Sequence, residues 1–126
     1  LAKNGAGKEE IFRRVKGEYY PEVASLSCGE LSKTYTFDVS CQGTVPQALT
    51  CFFEGNDFED TIRNAISVGG DSDTIAAIAG GVAEAFFGIP TALIDVAKLY
   101  LDEDLLLLAE NIGEEWKNNG YGVVRR

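Results

Sequence analysis

The chain contains no histidine. That absence removes Ser-His-Asp triads, imidazole general bases and zinc sites built on imidazole. Methionine is also missing and the chain begins at Leu1, so the sequence reads as a processed or truncated product, or a surviving fragment, of a longer protein. Cysteine is scarce. Cys28, Cys41 and Cys51 are an odd set without C-x-x-C spacing, which suits reduced, buried thiols in a cytoplasmic protein. No uninterrupted apolar run approaches the about 18 residues of a membrane span, and no signal-peptide pattern is visible. The expectation is a soluble, unexported chain with no membrane partner.

Positive charge is in short supply. Eleven Lys and Arg stand against 20 Asp and Glu, a net charge of −9, which repels nucleic-acid backbones and anionic lipid. Nucleic acid is therefore not an expected partner, and an acidic chain is compatible with a divalent-cation site. What is present is globular in character: 126 residues, 45% hydrophobic and 25% charged.

The elements read as helices. A short helix is expected over residues 9–16, then mostly loop with a helical turn or two over residues 21–43. Thr44-Val45-Pro46-Gln47 has the spacing of a capping box with Pro in the first turn. A helix to about Phe53 follows, with Leu49, Phe52 and Phe53 inward, stopped by Gly55-Asn56. Asp57 caps the next, in which Phe58, Ile62, Ala65 and Ile66 recur at helical spacing, and Gly69-Gly70 ends it. A third helix, residues 73–87, has almost no polar face and is expected to be buried on every side. Gly80 and Gly81 each cost about 1 kcal/mol there, with close packing as the compensation. Beyond the Gly88-Ile89-Pro90 break lie helices over residues 91–101 and 103–117. The last is capped by Asp102 and aligned on Leu105, Leu108, Ile112 and Trp116, and residues 118–126 look irregular. No strand pattern commits itself, and the fold class is all-α.

The chemistry concentrates in Asp71-Ser72-Asp73-Thr74, two carboxylates and two hydroxyls between a glycine pair and the most apolar helix. In regular helix, residues i and i+2 diverge by about 200°, so Asp71 and Asp73 cannot share a ligand. At a helix start, behind glycines, they and the Thr74 hydroxyl can converge on one cation. The competing reading is simple capping by Asp71 or Ser72 at the positive end of the helix dipole. An EF-hand is excluded, since Ala76 and Val82 stand where Gly and Glu are needed. Gly5-Ala6-Gly7-Lys8 is no phosphate loop, because Ala2 replaces the first glycine and Glu9 the hydroxyl residue. Asp57, Glu59 and Asp60 read as capping and solvated surface.

The run Gly69-Gly70-Asp71-Ser72-Asp73-Thr74-Ile75-Ala76-Ala77-Ile78-Ala79-Gly80-Gly81 closely resembles the second metal motif of the ADP-ribosylglycohydrolase family. Thr44-Val45-Pro46-Gln47-Ala48-Leu49 and Phe86-Phe87-Gly88-Ile89-Pro90 sit where similar segments sit in that family, and the resemblance spans about residues 37–116. It implies an all-α fold with two Mg²⁺ ions in a central cleft, with Asp71, Asp73 and Thr74 as ligands and Ser72 in a variable slot. It implies contact with ADP-ribose by Phe37, Asp38 and Val39 and the loop to Gly43, with Gly70 alongside. The implied reaction is hydrolysis of the glycosidic bond joining ADP-ribose to a protein side chain. The partner is then an ADP-ribosylated protein or an ADP-ribose-containing small molecule.

The family's first metal cluster, Thr-Asp-Asp, and its general acid/base have no counterpart in this chain, so the catalytic residue stays unknown. The chain reads as the C-terminal part of a single domain, residues 1–126, inactive alone. Its core would be completed by the missing N-terminal half or by another chain. The alternative is a non-catalytic helical binding or structural relative on the same fold.

Overall fold

The computed structural model describes the backbone of residues 1–118 and the side chains of residues 1–114. Among them every regular element is helical: α1 Lys8–Glu18, α2 Cys28–Thr34, α3 Cys41–Glu54, α4 Phe58–Val68, α5 Ser72–Phe87, α6 Thr91–Lys98 and α7 Glu103–Asn118, with 3-10 turns at Ala2–Asn4 and Pro21–Ala24. The all-α expectation holds. The expected irregular tail lies outside the described residues, apart from Asn118 at the end of α7, and the Trp116 side chain lies outside them too.

Two compact units divide the chain, Leu1–Phe87 and Gly88–Arg126. In the first, α3, α4 and α5 pack mutually, with α2 against α3 and α4. One apolar cluster joins α2 to this stack through Cys28, Leu31, Ala48, Cys51, Ala65, Val68, Ile75 and Ala79. A second gathers Ile11, Phe52 and Ala83 with the surrounding aromatic rings. Phe52 is fully buried, its centroid 5.5 Å from that of Phe86 and 6.0 Å from that of Phe87. The Lys8 ammonium lies 5.1 Å from the Phe52 and Phe87 centroids and donates to the Gly55 carbonyl. Burial lowers its pKa, and the nearby Asp60 carboxylate partly offsets that. Lys8 thus ties α1 to the end of α3, a structural use consistent with the exclusion of a phosphate loop.

Local chemistry accounts for the helix starts. The Asp57 carboxylate accepts the Asp60 amide at 2.8 Å and caps α4 as expected. Glu59 pairs with Arg63 at 2.6 Å, and Asp60 accepts from the Asn56 amide at 2.9 Å, so this acidic group is spent on capping and surface pairing. Asp102 accepts the Leu105 amide at 2.9 Å and caps α7.

The start of α3 differs from the expectation by four residues. Ser40 is the cap, its hydroxyl accepting the Gly43 amide at 3.0 Å. Thr44 is buried inside the helix and donates to the Asp38 carbonyl at 3.1 Å, so it cannot serve as a cap. Pro46 therefore falls in the second turn, where its missing N–H leaves the carbonyl of Gln42 without that partner.

Burial departs from the pattern in three places. Ile66 is 60% exposed, while the buried face of α4 is Thr61, Ala65 and Val68. Helix α5 is not enclosed: Ile75, Ala79, Gly80 and Ala83 are buried, whereas Asp73, Thr74, Ala77 and Gly81 are exposed. An apolar composition of small residues does not by itself fix how many faces find a neighbour. In the second unit Leu105, Leu108 and Ile112 are all exposed. Helix α6 also stops at Lys98 rather than Leu101. Leu99, Tyr100 and Leu101 donate three residues back, a tightened turn that closes the helix early.

Candidate metal centre

Helix α4 ends on two glycines in sequence with positive φ, Gly69 at 76° and Gly70 at 61°. An L side chain disfavours that backbone, and here it reverses the chain within two residues. Asp71 follows in the N-cap position, its carbonyl accepting the Ile75 amide at 3.0 Å, and α5 begins at Ser72. Asp71 thus lies outside the regular helix, so the divergence of i and i+2 side chains does not apply to it. Interaction with the Asp71 side chain first, and then with the amides of Asp73 and Thr74, holds the Asp73 carboxyl below the usual carboxylate range. Asp71 occupies the cap position and Ser72 the first helical position, while the Asp73 carboxyl interacts with the amides of that first turn.

Two neighbouring carboxylates repel unless a proton or a cation lies between them. With Thr74 in the same first turn the side-chain donors are all oxygen, the set that hard cations such as Mg²⁺ and Ca²⁺ take. The chemistry of the set fits Mg²⁺. Among the described residues no group of three or more His, Cys, Asp or Glu side chains that could hold a metal ion comes together.

The α2–α3 connection lies alongside. A Cβ on Gly70 would stand 2.5 Å from Tyr35 Cε1 and 3.4 Å from the Thr36 carbonyl carbon, so the glycine turn rests on the segment leading into Phe37. Phe37 and Val39 are 68% and 79% exposed, two apolar side chains facing solvent on either side of Asp38. The Asp38 carboxylate accepts the Ser40 amide at 2.7 Å, and hydrogen bonds from the Ser40 hydroxyl and amide hold its pKa down. It packs so closely over Gly43 that a Cβ there would fall 2.1 Å from Oδ2, which is why position 43 has no side chain. Gly70 and the start of the expected substrate loop are thus adjacent, while the polar contacts of Asp38 are local, with Ser40 and Thr44. Tyr35 is the residue at this site that the sequence did not single out. It carries no motif, and only the tertiary contact with Gly70 marks it.

A family model of ADP-ribosylglycohydrolase matches residues 6–121. The chain belongs to the ADP-ribosylglycohydrolase family. The match runs further toward the N-terminus than the resemblance around the Asp-Ser-Asp-Thr loop and takes in α1 to α7. An uncharacterised protein of Archaeoglobus fulgidus is 31% identical over 100 residues, covering 71% of this chain and 33% of its own length. The ADP-ribosylarginine hydrolase Tri1 of Pseudomonas putida is 31% identical over 93 residues, covering 71% of this chain and 25% of its own length. This ADP-ribosylglycohydrolase chain thus aligns with a third or less of these relatives. No solved structure matches it. Among the described residues no helix is long and apolar enough to cross a membrane.

Proposed function

We propose that this chain supplies Asp71, Asp73 and Thr74 to a two-Mg²⁺ site at which the whole protein hydrolyses the glycosidic bond between ADP-ribose and a protein side chain. The observation that carries this reading is the glycine turn that sets Asp71 at the cap and Asp73 in the first turn of α5, in a chain of this family. Arginine is the first side chain to test, because the relative in Pseudomonas putida is named an ADP-ribosylarginine hydrolase.

Asp71, Asp73 and Thr74 would hold the cation through oxygen, behind the Gly69-Gly70 turn. Bound Mg²⁺ would supply Lewis acidity toward the ribose diol and toward the water that attacks the anomeric carbon. Asp38, kept ionised by Ser40, is an acceptor that orients hydroxyls rather than a proton donor. Phe37 and Val39 offer exposed apolar surface for the ADP-ribose moiety. The general acid/base and the remaining ligands come from outside this chain, so the chain by itself is inactive.

The test is release of ADP-ribose from an arginine-ADP-ribosylated protein by the whole protein, with Mg²⁺, with chelator, and with Asp73→Ala. Release that needs both Mg²⁺ and Asp73 supports the reading. Absence of release with Mg²⁺ still bound points to another linkage or to a non-catalytic binding role. Failure to bind Mg²⁺ at all sinks the metal assignment.

A further inference from the structure

Tyr35 ends α2 in extended backbone and packs against the apolar cluster that joins α2, α3, α4 and α5. Its ring occupies the space on one side of Gly70, at distances that leave no room for even a methyl group: 2.5 Å to Cε1 and 2.8 Å to Cδ1 from an ideal Cβ. Its hydroxyl is buried and has no hydrogen-bond partner among the described residues. The ring is thus held for its shape rather than its polarity.

That shape matters because of what precedes the acidic loop. Two consecutive glycines at φ 76° and 61° leave the backbone ahead of Asp71 with more accessible states than any other residue pair would. Something must remove those states if Asp71 is to stay beside Asp73. At Gly69 nothing stands within 4 Å of the Cβ position, so the constraint falls at Gly70, on the Tyr35 ring and the Thr36 backbone. The carbonyl of Asp71 in turn receives the first amide bond of α5 from Ile75.

We infer that Tyr35 is a positioning residue for the metal loop: its ring wedges Gly70 in place and, through Gly70, keeps the Asp71 and Asp73 carboxyls together. The bracing stands on the Tyr35–Gly70 contact; its purpose, a preformed cation site, rests on the function proposed above.

The experiment is amide hydrogen exchange at Ile75 relative to Ala83, read by NMR on the metal-free protein, together with calorimetric Mg²⁺ titration. Tyr35→Ala is expected to raise the Ile75-to-Ala83 exchange ratio about tenfold, as a local opening confined to the loop would. It should weaken Mg²⁺ binding by about tenfold or more, the scale on which groups supporting metal ligands act. Tyr35→Phe, which keeps the ring, should leave both within about twofold. Leu31→Ala, which removes a side chain 5% exposed from the same cluster, should lower global stability without moving the ratio. If Tyr35→Ala does not fold, Tyr35→Leu gives the same readout in a smaller step.

An unchanged ratio in the truncated variant overturns the bracing role. So does a Phe variant that behaves like the Ala variant, or a Leu31→Ala ratio that rises equally. A parent protein that takes up no Mg²⁺ overturns the metal-bearing purpose, while the exchange ratio, measured without metal, still decides the bracing.

Discussion

Three glycines, replaced one at a time by alanine, should give three different answers. Gly55 joins α3 to α4 with ordinary negative φ, so strain is not the issue; space is. Its new Cβ would lie 2.3 Å from Thr61 Oγ1, 2.9 Å from Thr61 Cα and 3.0 Å from Thr61 N. The hydroxyl could turn away only by giving up its 2.8 Å bond to the Asp57 carbonyl, and the backbone atoms cannot turn at all. Restoring contact at about 3.5 Å requires the first turn of α4 to move by roughly 0.6 Å, and overpacking of this kind costs about 1–3 kcal/mol. Gly81, by contrast, lies inside α5 with nothing within 4 Å of its Cβ position. Alanine there is expected to stabilise by about 0.5–1 kcal/mol through helix propensity. Gly80 meets only the end of a side chain, Ile62 Cδ1 at 3.0 Å. There the propensity gain and the displacement of Ile62 offset each other to within about 0.5 kcal/mol. Urea unfolding followed by far-UV circular dichroism measures all three, provided the slope m is unchanged. The ordering Gly81→Ala above Gly80→Ala above Gly55→Ala is the expectation. A destabilised Gly81→Ala would refute the exposed placement of that face of α5, and an unaffected Gly55→Ala would refute the tight α3–α4 junction.

The thiols should divide by burial. Cys41 is exposed and should react with a thiol reagent in the native state, while the buried Cys28 and Cys51 should react only on unfolding. Hydrogen bonding to Cys51, 3.7 Å away, and then burial push the Cys28 thiol well above its ordinary 9.0. A group whose folded pKa is raised stabilises below its unfolded pKa and loses that contribution above it. Stability should therefore fall as pH rises beyond 9.0, and Cys28→Ala should flatten that limb in alkaline unfolding curves. Phe52→Ala, at a fully buried ring among three other phenylalanines, should cost about 3–5 kcal/mol by denaturant unfolding. A loss under about 1 kcal/mol would mean the cluster collapses around the gap. The second unit leaves Leu99, Tyr100, Leu107 and Leu108 more than half exposed, so the 126-residue chain alone should self-associate in sedimentation velocity. A single monomeric species at all concentrations would count against this.

Much of the local structure was written in neighbouring residues. The Asp57 and Asp102 caps, the Gly69-Gly70 reversal and the apolar period of each helix arise from interactions a few residues apart, so the sequence by itself determined an all-α chain. It also determined the place of the acidic loop, because a glycine pair before Asp71-Ser72-Asp73-Thr74 has few structural uses. Where a long-range partner decides, the sequence was silent or misleading. Thr44 has the look of a cap, yet it is buried and bonded to the Asp38 carbonyl while Ser40 does the capping. Helix α5 is apolar around its circumference, but only the neighbours present can bury a face, and Ala77 and Gly81 stay exposed. Tyr35 carries no signal of its own. Its importance at Gly70 exists only because two connections, 35 residues apart in the chain, are brought into contact by the packing of α2 against α4. Periodicity and capping record the forces along a helix; which faces meet, and which side chain fills the space beside a glycine, depends on the packing of the whole stack.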